Sequence, residues 1–563
     1  MRIPFISNAH NNLTLDSERD DIPLSAYPRP QLKRDSYICL NGDWNGITVP
    51  YALESRASGF KGRVPKEYTY SRDFTLPKGF FKDRVLLHFD GVDEEAEVYV
   101  NGTLVGSHAN GYSPFTLDIT RAVSQTGAKN SLKVKITDRL SHKYPYGKQK
   151  KHRGGMWYTP VSGIFKSVWL ESVSEDCIKA LEITPSLTGI DVNIDSEAND
   201  YTLEVYDGER LILSETTPYD LVHFDIDRPH LWTPEDPYLY RLVVKTKNDT
   251  VSSYFGLRTV SIGEADGIAR ILLNGEPFFF NGVLDQGYFP EGILTPNTER
   301  DYEDDILRLK SLGINTIRMH IKVESEAFYE ACDRLGMLVF QDMVNNGSYK
   351  FLRDTALPTV GLKKFDDTKF RVKDEIKNNF ALAMEDTLVL LYNHPSVVYY
   401  TIFNEGWGQF DSDMLTAWAR SMDRTRVIDS TSGWFWQKDS DVDSYHIYFK
   451  KVTLEPSERP IVLSEFGGIS LKLKEHSYSK YVNYGYGKTK TAEELTDAFV
   501  NLYESEIIPL IDKGLCGTIY TQAYDVEDET NGLYTYDRKV CKVDRERVYE
   551  LSKKLRIERK NEA

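Results

Sequence analysis

From about residue 30 to 173, apolar and polar positions alternate in short runs with turn residues between them. Residues 70–74, 85–89, 97–100 and 132–136 read as strands. Asn101-Gly102 falls between two of the runs and predicts a two-residue hairpin, because both positions tolerate positive φ. No stretch here has a helical period. A second alternating block follows to about residue 262, with strands predicted at 201–206, 211–213 and 238–246. Near residue 263 the rhythm changes to strand, helix, strand, helix, which predicts a parallel sheet or barrel. Residues 278–282 read as its first strand. Thr298 is the predicted N-cap of a helix with Asp301 three positions on and Tyr302, Ile306 and Leu309 on one face; Gly313 ends it. Residues 315–320 form strand two. Ser325 opens a helix carrying Phe328, Cys332 and Leu335, and Gly336 stops it. Strand three covers 337–340. A long helix follows with Ile376, Phe380, Met384, Leu388 and Leu391 in register. Strands five, six and eight fall at 426–428, 445–448 and 517–521. Only 60 residues separate Glu405 from Glu465, about 20 for each of three units against the usual ~30, so helices five and six must be short or irregular.

Strands four and seven carry the most information. Val397 to Phe403 is apolar, β-branched and aromatic on both faces and ends in Asn404-Glu405-Gly406-Trp407. Ile461 to Leu463 repeats the arrangement and ends in Ser464-Glu465-Phe466-Gly467. A buried strand ending in a carboxylate places that charge at the C-terminal mouth of a barrel, where chemistry sits. Two such strands deliver a pair of carboxylates suited to acid/base and nucleophilic work on a glycosidic bond. The plain alternative is two structural, salt-bridged glutamates. Gly406 and Gly408 are read as leaving room for a ligand. Strand ends also offer His320, Asp285 and Asp342 as partners for sugar hydroxyls, with a core hydrogen-bond network as their other role. Gln522, Tyr524 and Asp525 end strand eight. Trp407, Trp434 and Trp436 follow strands four and five and are read as sugar-stacking rings, with core packing as the rival.

At 563 residues the chain exceeds one core. Its net charge of −16 is spread along the sequence, which argues against nucleic acid or an anionic membrane as partner. It would also repel anionic substrates unless a local basic site compensates. Five scattered cysteines without metal-ligand spacing read as reduced thiols, which suggests a cytoplasmic protein. Residues 1–13 lack the pattern of a leader peptide. No apolar run approaches membrane-spanning length. No Gly-rich phosphate loop points to a cofactor, and no ligand set for a metal is identified.

Leu40-Asn41-Gly42-Asp43-Trp44, Phe89-Asp90-Gly91-Val92, Val98 to Gly102, Gly111-Tyr112-Ser113-Pro114-Phe115 and Gly163 to Glu171 occur in one order and spacing. With Leu231-Trp232-Thr233-Pro234, Phe255-Gly256-Leu257-Arg258 and the two glutamate strings, the chain resembles glycoside hydrolase family 2, the family of β-galactosidases, β-glucuronidases and β-mannosidases. The resemblance implies an N-terminal jelly-roll-like, sugar-binding-like β-sandwich (1–173), an immunoglobulin-like β-sandwich (174–262) and a catalytic C-terminal (β/α)8 TIM barrel (263–563). It implies a retaining exo-β-glycosidase acting on an oligosaccharide or glycoside, without cofactor, and leaves homo-oligomer formation open. Glu405 takes the place of the general acid/base, kept neutral by a neighbouring carboxylate. Glu465 takes that of the nucleophile, ~5–5.5 Å away. Asn404 would bond the sugar 2-OH. Arg318 would hold the nucleophile, as would Tyr448, with His446 on the same face of strand six.

Sugar identity is the least determined point. The Asn-x-Lys of the β-glucuronidases is replaced by Asn531-Gly532-Leu533-Tyr534. The tryptophan that follows the strand-two arginine in β-mannosidases is replaced by Met319-His320. The Mg²⁺ ligands and extra domains of the large β-galactosidases have no counterpart. A less characterised, β-galactosidase-like branch fits best. β-Galactofuranosidase, β-glucuronidase and transglycosylase activities are the alternatives, and a non-catalytic carbohydrate-binding protein is the reading outside the enzyme class.

Overall fold

The computed structural model describes residues 22–124, 127–479 and 481–558. The reading of residues 1–13 as free of a leader lies outside the described residues.

Two four-stranded antiparallel sheets form the first unit. One joins Ile38–Cys39, Val168–Val173, Arg84–Phe89 and Phe115–Asp118; the other joins Glu67–Thr75, Lys129–Thr137, Glu95–Val100 and Thr103–Ala109. Alternation drives the packing: Val98, Val100, Leu132 and Val134 point between the sheets against Leu87 and Leu170. The hairpin turns at Asn101 (φ 51°) and Gly102 (φ 84°), with Val100 opposite Thr103.

The second sandwich pairs a three-stranded sheet with a four-stranded one, around Leu203, Val205, Leu242 and Val244. Residues 30–34, which the 1–173 division assigns to the first unit, lie on the second. Lys33 and Ser252 exchange backbone hydrogen bonds of 2.9 Å, and Leu32 joins its core.

The barrel strands, here β1 (Phe280–Asp285), β2 (Thr316–Met319), β3 (Leu338–Asp342), β4 (Val397–Asn404), β5 (Val427–Ser432), β6 (Asp443–Ile447), β7 (Ile461–Gly467) and β8 (Leu515–Thr521), run parallel in the order 5-4-3-2-1-8-7-6. Strands β5 and β6 meet without a ladder. The seam is stitched by Asp441, whose N–H donates to Ile428 O (2.9 Å) and whose carboxylate accepts from Ile428 N (2.8 Å). A hairpin, Val260–Ala265 with Ile268–Leu273, plugs the bottom; Ile271 and Leu273 pack on Phe280, Phe340 and Tyr399. The expected boundary at 263 therefore cuts through a strand.

Helix α1 (Glu299–Lys310) starts with a capping box between Thr298 and Asp301, and α2 (Glu326–Leu335) ends on left-handed Gly336. Helix α3 (Asp374–Leu391) and helix α4 (Ser412–Met422) flank β4. The shortage of chain before Glu465 falls on the next two units. Among the described residues neither the β5–β6 nor the β6–β7 connection holds a helix. Strand β1 begins two residues later than expected, because Phe278 bonds back to Ile271 of the basal hairpin. Strand β5 runs on through Asp429, Ser430, Thr431 and Ser432. These are buried but polar, so an apolar pattern stops short of them.

Candidate active site

The C-terminal mouth of the barrel gathers the side chains that carry chemistry. Arg318, at the end of β2, lies at its centre and is 1% exposed. Its Nε donates to Asp342 Oδ1 (2.9 Å). Its Nη1 donates to Ser464 O (3.0 Å) and Glu465 Oε1 (3.2 Å). Its Nη2 donates to Asn404 Oδ1 and Ser432 Oγ (both 3.0 Å). One guanidinium thus ties together β2, β3, β4, β5 and β7, using a planar donor fork that lysine lacks.

Glu465 receives a second donor. Tyr448 OH lies 2.7 Å from its Oε2 and 2.8 Å from Thr521 Oγ1. The Tyr448 ring stacks on Tyr486 at 4.0 Å. With both oxygens engaged, the Glu465 carboxylate has one orientation.

Glu405 follows β4 in left-handed backbone (φ 52°), a conformation uncommon for residues other than glycine, so the strand end turns sharply there. Trp434 Nε1 holds its carbonyl (3.0 Å), and His446 Nδ1 lies 2.8 Å from its Oε1. Burial pushes the Glu405 carboxyl up to about 7; Lys148 and Arg318 oppose the rise, and Asp354 adds to it. The cause differs from the expected one. Desolvation, not the neighbouring carboxylate, keeps this acid protonated.

Burial likewise lowers the His446 imidazole to about 3, so the ring is neutral. Arg318 Nη1, 3.4 Å from His446 Nε2, has no lone pair to offer. Nε2 is therefore the acceptor and the ring proton sits on Nδ1, facing Glu405 Oε1. That leaves Oε2 to carry the Glu405 proton. His446 also reaches Glu465, with Nε2 3.6 Å from Oε1. Oxygens of the two glutamates and a His446 nitrogen lie within 4.8 Å of one another. Among the described residues this is the one set of three whose spacing would suit a metal ion. Both imidazole nitrogens face groups of the site itself.

Asn404 is oriented by its neighbours. Its Oδ1 accepts from Arg318 and from Ser432 Oγ (2.9 Å), which turns its NH2 group away from them as a donor. Asp342 is committed to the protein: its two oxygens accept from Arg318 Nε and from His320 Nδ1 (2.8 Å). Burial opposes its ionisation, but the Arg318 charge and the His320 bond overcome this and hold the carboxyl down to about 2. His320 is buried and held well below its ordinary value by desolvation, then by Lys148. Asp285 accepts from Gly287 N (2.8 Å), closing the turn after β1.

The tryptophans divide. Trp434 packs edge-on to His446 beside Glu405. Trp407 is 1% exposed and stacks on Trp157 of the first sandwich at 5.3 Å, so it joins domains and offers no open face. Trp436 packs against Tyr445, one position off the His446 face of β6, and lies outside the cluster. The glycines also serve the protein: a Cβ on Gly406 would lie 2.3 Å from Phe435, and one on Gly408 2.2 Å from Asn346 O. No ligand explanation is required for either.

Sequence reasoning missed Lys148, Lys363, Ser432, Thr521 and Tyr486. Lys148 comes from a loop of the first sandwich that is pinned across the mouth. Tyr146 N donates to Asn345 O (3.1 Å), Arg153 pairs with Glu527 and Asp528, and Tyr158 OH donates to Glu529. No local pattern in the loop marks it as part of a distant barrel.

Three family models match the chain. Residues 58–164 match the glycosyl hydrolase 2 galactose-binding domain-like model, 177–258 the glycosyl hydrolases family 2 model and 266–533 the family 2 TIM barrel domain. The chain belongs to glycoside hydrolase family 2. Relatives in this family include a β-galactosidase of Thermoanaerobacter pseudethanolicus, 28% identical over 49% of this chain and 39% of that protein. A β-glucuronidase of Bacteroides fragilis is 25% identical over 75% of this chain and 62% of that protein. The chain thus spans less than two thirds of the length of these relatives. Its fold is that of a solved β-D-glucuronidase of Dictyoglomus thermophilum, with TM-score 0.73, 19% identity, and 94% of this chain and 98% of that one covered. A β-galacturonidase of Eisenbergiella tayi solved with galacturonate gives TM-score 0.68 at 20% identity, covering 93% and 98%. No described helix is long and apolar enough to cross a membrane, and all five cysteines are free thiols.

Proposed function

We propose that this chain is a retaining β-glycosidase that removes terminal β-linked sugars, of β-galactoside type, through a glycosyl-enzyme on Glu465. The observation that carries the proposal is the carboxylate pair: oxygens of Glu405 and Glu465 approach within 4.8 Å. Retaining enzymes hold their carboxyls ~5–5.5 Å apart, whereas inverting ones need ~6.5–9.5 Å to admit a water between them.

The surroundings support opposite roles for the two acids. Arg318 and Tyr448 donate to Glu465, which holds its carboxylate in one orientation, as a nucleophile needs. Glu405, protonated near neutral pH, gives its proton to the departing oxygen as Glu465 bonds to the anomeric carbon. Glu405 then takes a proton from an incoming water, which displaces Glu465 and completes a second inversion. The Asn404 NH2 group, fixed by Arg318 and Ser432, is a donor suited to the sugar 2-OH oxygen.

The test uses a 2-deoxy-2-fluoro-β-galactosyl fluoride, whose glycosyl-enzyme is hydrolysed slowly. Mass spectrometry should find one fluorosugar on the peptide containing Glu465, and proton NMR should show the β-anomer as first product. Labelling elsewhere, or an α-anomer first, would overturn the assignment.

A further inference from the structure

The turn after β6 carries an aromatic side chain that folding alone does not account for. Phe449 is 80% exposed and sits in left-handed backbone (φ 60°). In that conformation Cβ crowds the following carbonyl oxygen, and only glycine, or a short polar residue such as asparagine, adopts it readily. Exposure of the ring also forgoes the gain from burying it. A large apolar side chain that is both strained and open to solvent does little for the core. Such residues cluster where a ligand is gripped.

The residues that hold the nucleophile fix its place. Phe449 follows Tyr448, whose OH donates to Glu465. The Phe449 ring meets Tyr486 edge-on at 5.2 Å, and Tyr486 stacks on Tyr448 at 4.0 Å. Tyr486 is itself anchored. Its N–H donates to Gly468 O (2.9 Å), just past β7, and a Cβ on Gly468 would lie 2.3 Å from the Tyr486 ring. Three rings thus step outward from Glu465, and Phe449 alone of the three is exposed.

The facing loop reaches Glu405. Burial lowers the Lys363 ammonium, the Lys450 charge adds to this, and Glu405 opposes it. Lys450 belongs to the same turn as Phe449, so that turn and the loop around Lys363 close on the acid from two sides. Val360 and Leu362 are exposed on that loop. Glu405 gives its proton to the departing oxygen, so whatever that oxygen carries lies between the two loops.

We propose that Phe449 selects the leaving group, its ring stacking on a flat face of the aglycone while Tyr486 supports it edge-on. This rests on the retaining-glycosidase reading and adds to it a determinant of leaving-group choice. The chemistry it selects is a ring with an apolar face, which an aryl aglycone or the C–H face of a second sugar presents. Strain that the fold does not need is then balanced by a contact that the substrate makes.

The experiment measures kcat/KM for three β-galactosides: the fluoride, which has no ring to leave, the 4-nitrophenyl glycoside and lactose. Dividing each ring-bearing value by that of the fluoride removes effects on the sugar and on the chemistry common to all three. Phe449→Asn should lower this ratio ~3- to 10-fold for at least one ring-bearing substrate, the scale of one aromatic contact, and Phe449→Trp should retain it. The substrate whose ratio falls identifies the occupant. Asparagine accepts left-handed backbone, so Phe449→Asn should unfold in urea no earlier than wild type. Ratios unchanged in Phe449→Asn for both ring-bearing substrates, or an earlier urea transition, would overturn the proposal. If wild type turns over none of the galactosides, the glucose, fucose and mannose counterparts are compared in the same way. Silence across all of them would remove the retaining-glycosidase reading, and the proposal with it.

Discussion

The proton on Glu405 gives the most demanding prediction. Glu405→Gln keeps the side-chain shape and an Oε1 acceptor for His446, but removes the titrating group. In wild type, burial raises this carboxyl from 4.5 to about 7. At ~1.4 kcal/mol per pH unit, the folded site favours the neutral acid by about 3 kcal/mol. The side chain is 13% exposed, so solvent screens little of this. Two results follow from the same figure. For a galactoside with a poor leaving group, kcat/KM should fall about tenfold per pH unit above about 7, as the acid is lost. A dinitrophenyl leaving group needs no proton, so its alkaline fall should vanish. Stability has the matching sign. Between 4.5 and about 7 the unfolded chain releases a proton that the folded chain keeps, so wild-type stability drops as pH rises through that window and then levels off. The glutamine variant has no such drop. Relative to wild type it should gain nothing near pH 4 and up to about 3 kcal/mol near pH 8.5, read by urea unfolding at both pH values. A variant that tracked wild type at both pH values, or an alkaline limb that persisted with the dinitrophenyl substrate, would refute burial as the source of the Glu405 proton.

Glu465→Gln should lower kcat by at least ~10⁴-fold with an unchanged far-UV spectrum, because it removes the attacking atom and leaves the barrel packed. Tyr448→Phe deletes one donor to Glu465 and should cost about 10- to 100-fold in kcat with a smaller change in KM, seen in steady-state rates. Arg318→Lys strips Asp342, Asn404 and Glu465 of directed donors at a fully buried position. It should destabilise the fold by about 3–5 kcal/mol in urea unfolding, and adding Asp342→Asn should recover part of that loss.

The candidate pair, Glu405 and Glu465, was legible in the sequence because both of its signals are local. An apolar run of strand length that ends in Asn-Glu-Gly or Ser-Glu-Phe-Gly says that a strand is buried and that a carboxylate stands at its end. The alternation near residue 100 and the capping residues at Thr298 and Gly336 are local in the same sense, and the structure has them where expected. The polar half of β5 was not legible. Asp429 and Ser432 are buried only because Tyr399, Arg318 and Asn404 satisfy them, and those partners are far away in sequence.

The local environment of each site residue was decided by the tertiary structure. Gly406 and Gly408 looked like ligand clearance, yet they admit Phe435 and Asn346. Trp407 looked like a sugar platform, yet a tryptophan from another domain covers it. The acidity of Glu405 depends on how much water the folded mouth excludes, and no residue spacing encodes that. Lys148 reaches the barrel only because a sandwich loop folds across it. The sequence by itself thus determined which elements form and which carboxylates end them, since backbone preference and hydrophobic period act over a few residues. Only the packed structure decided protonation, orientation and local charge, since these depend on desolvation and on partners that the chain brings together from two domains.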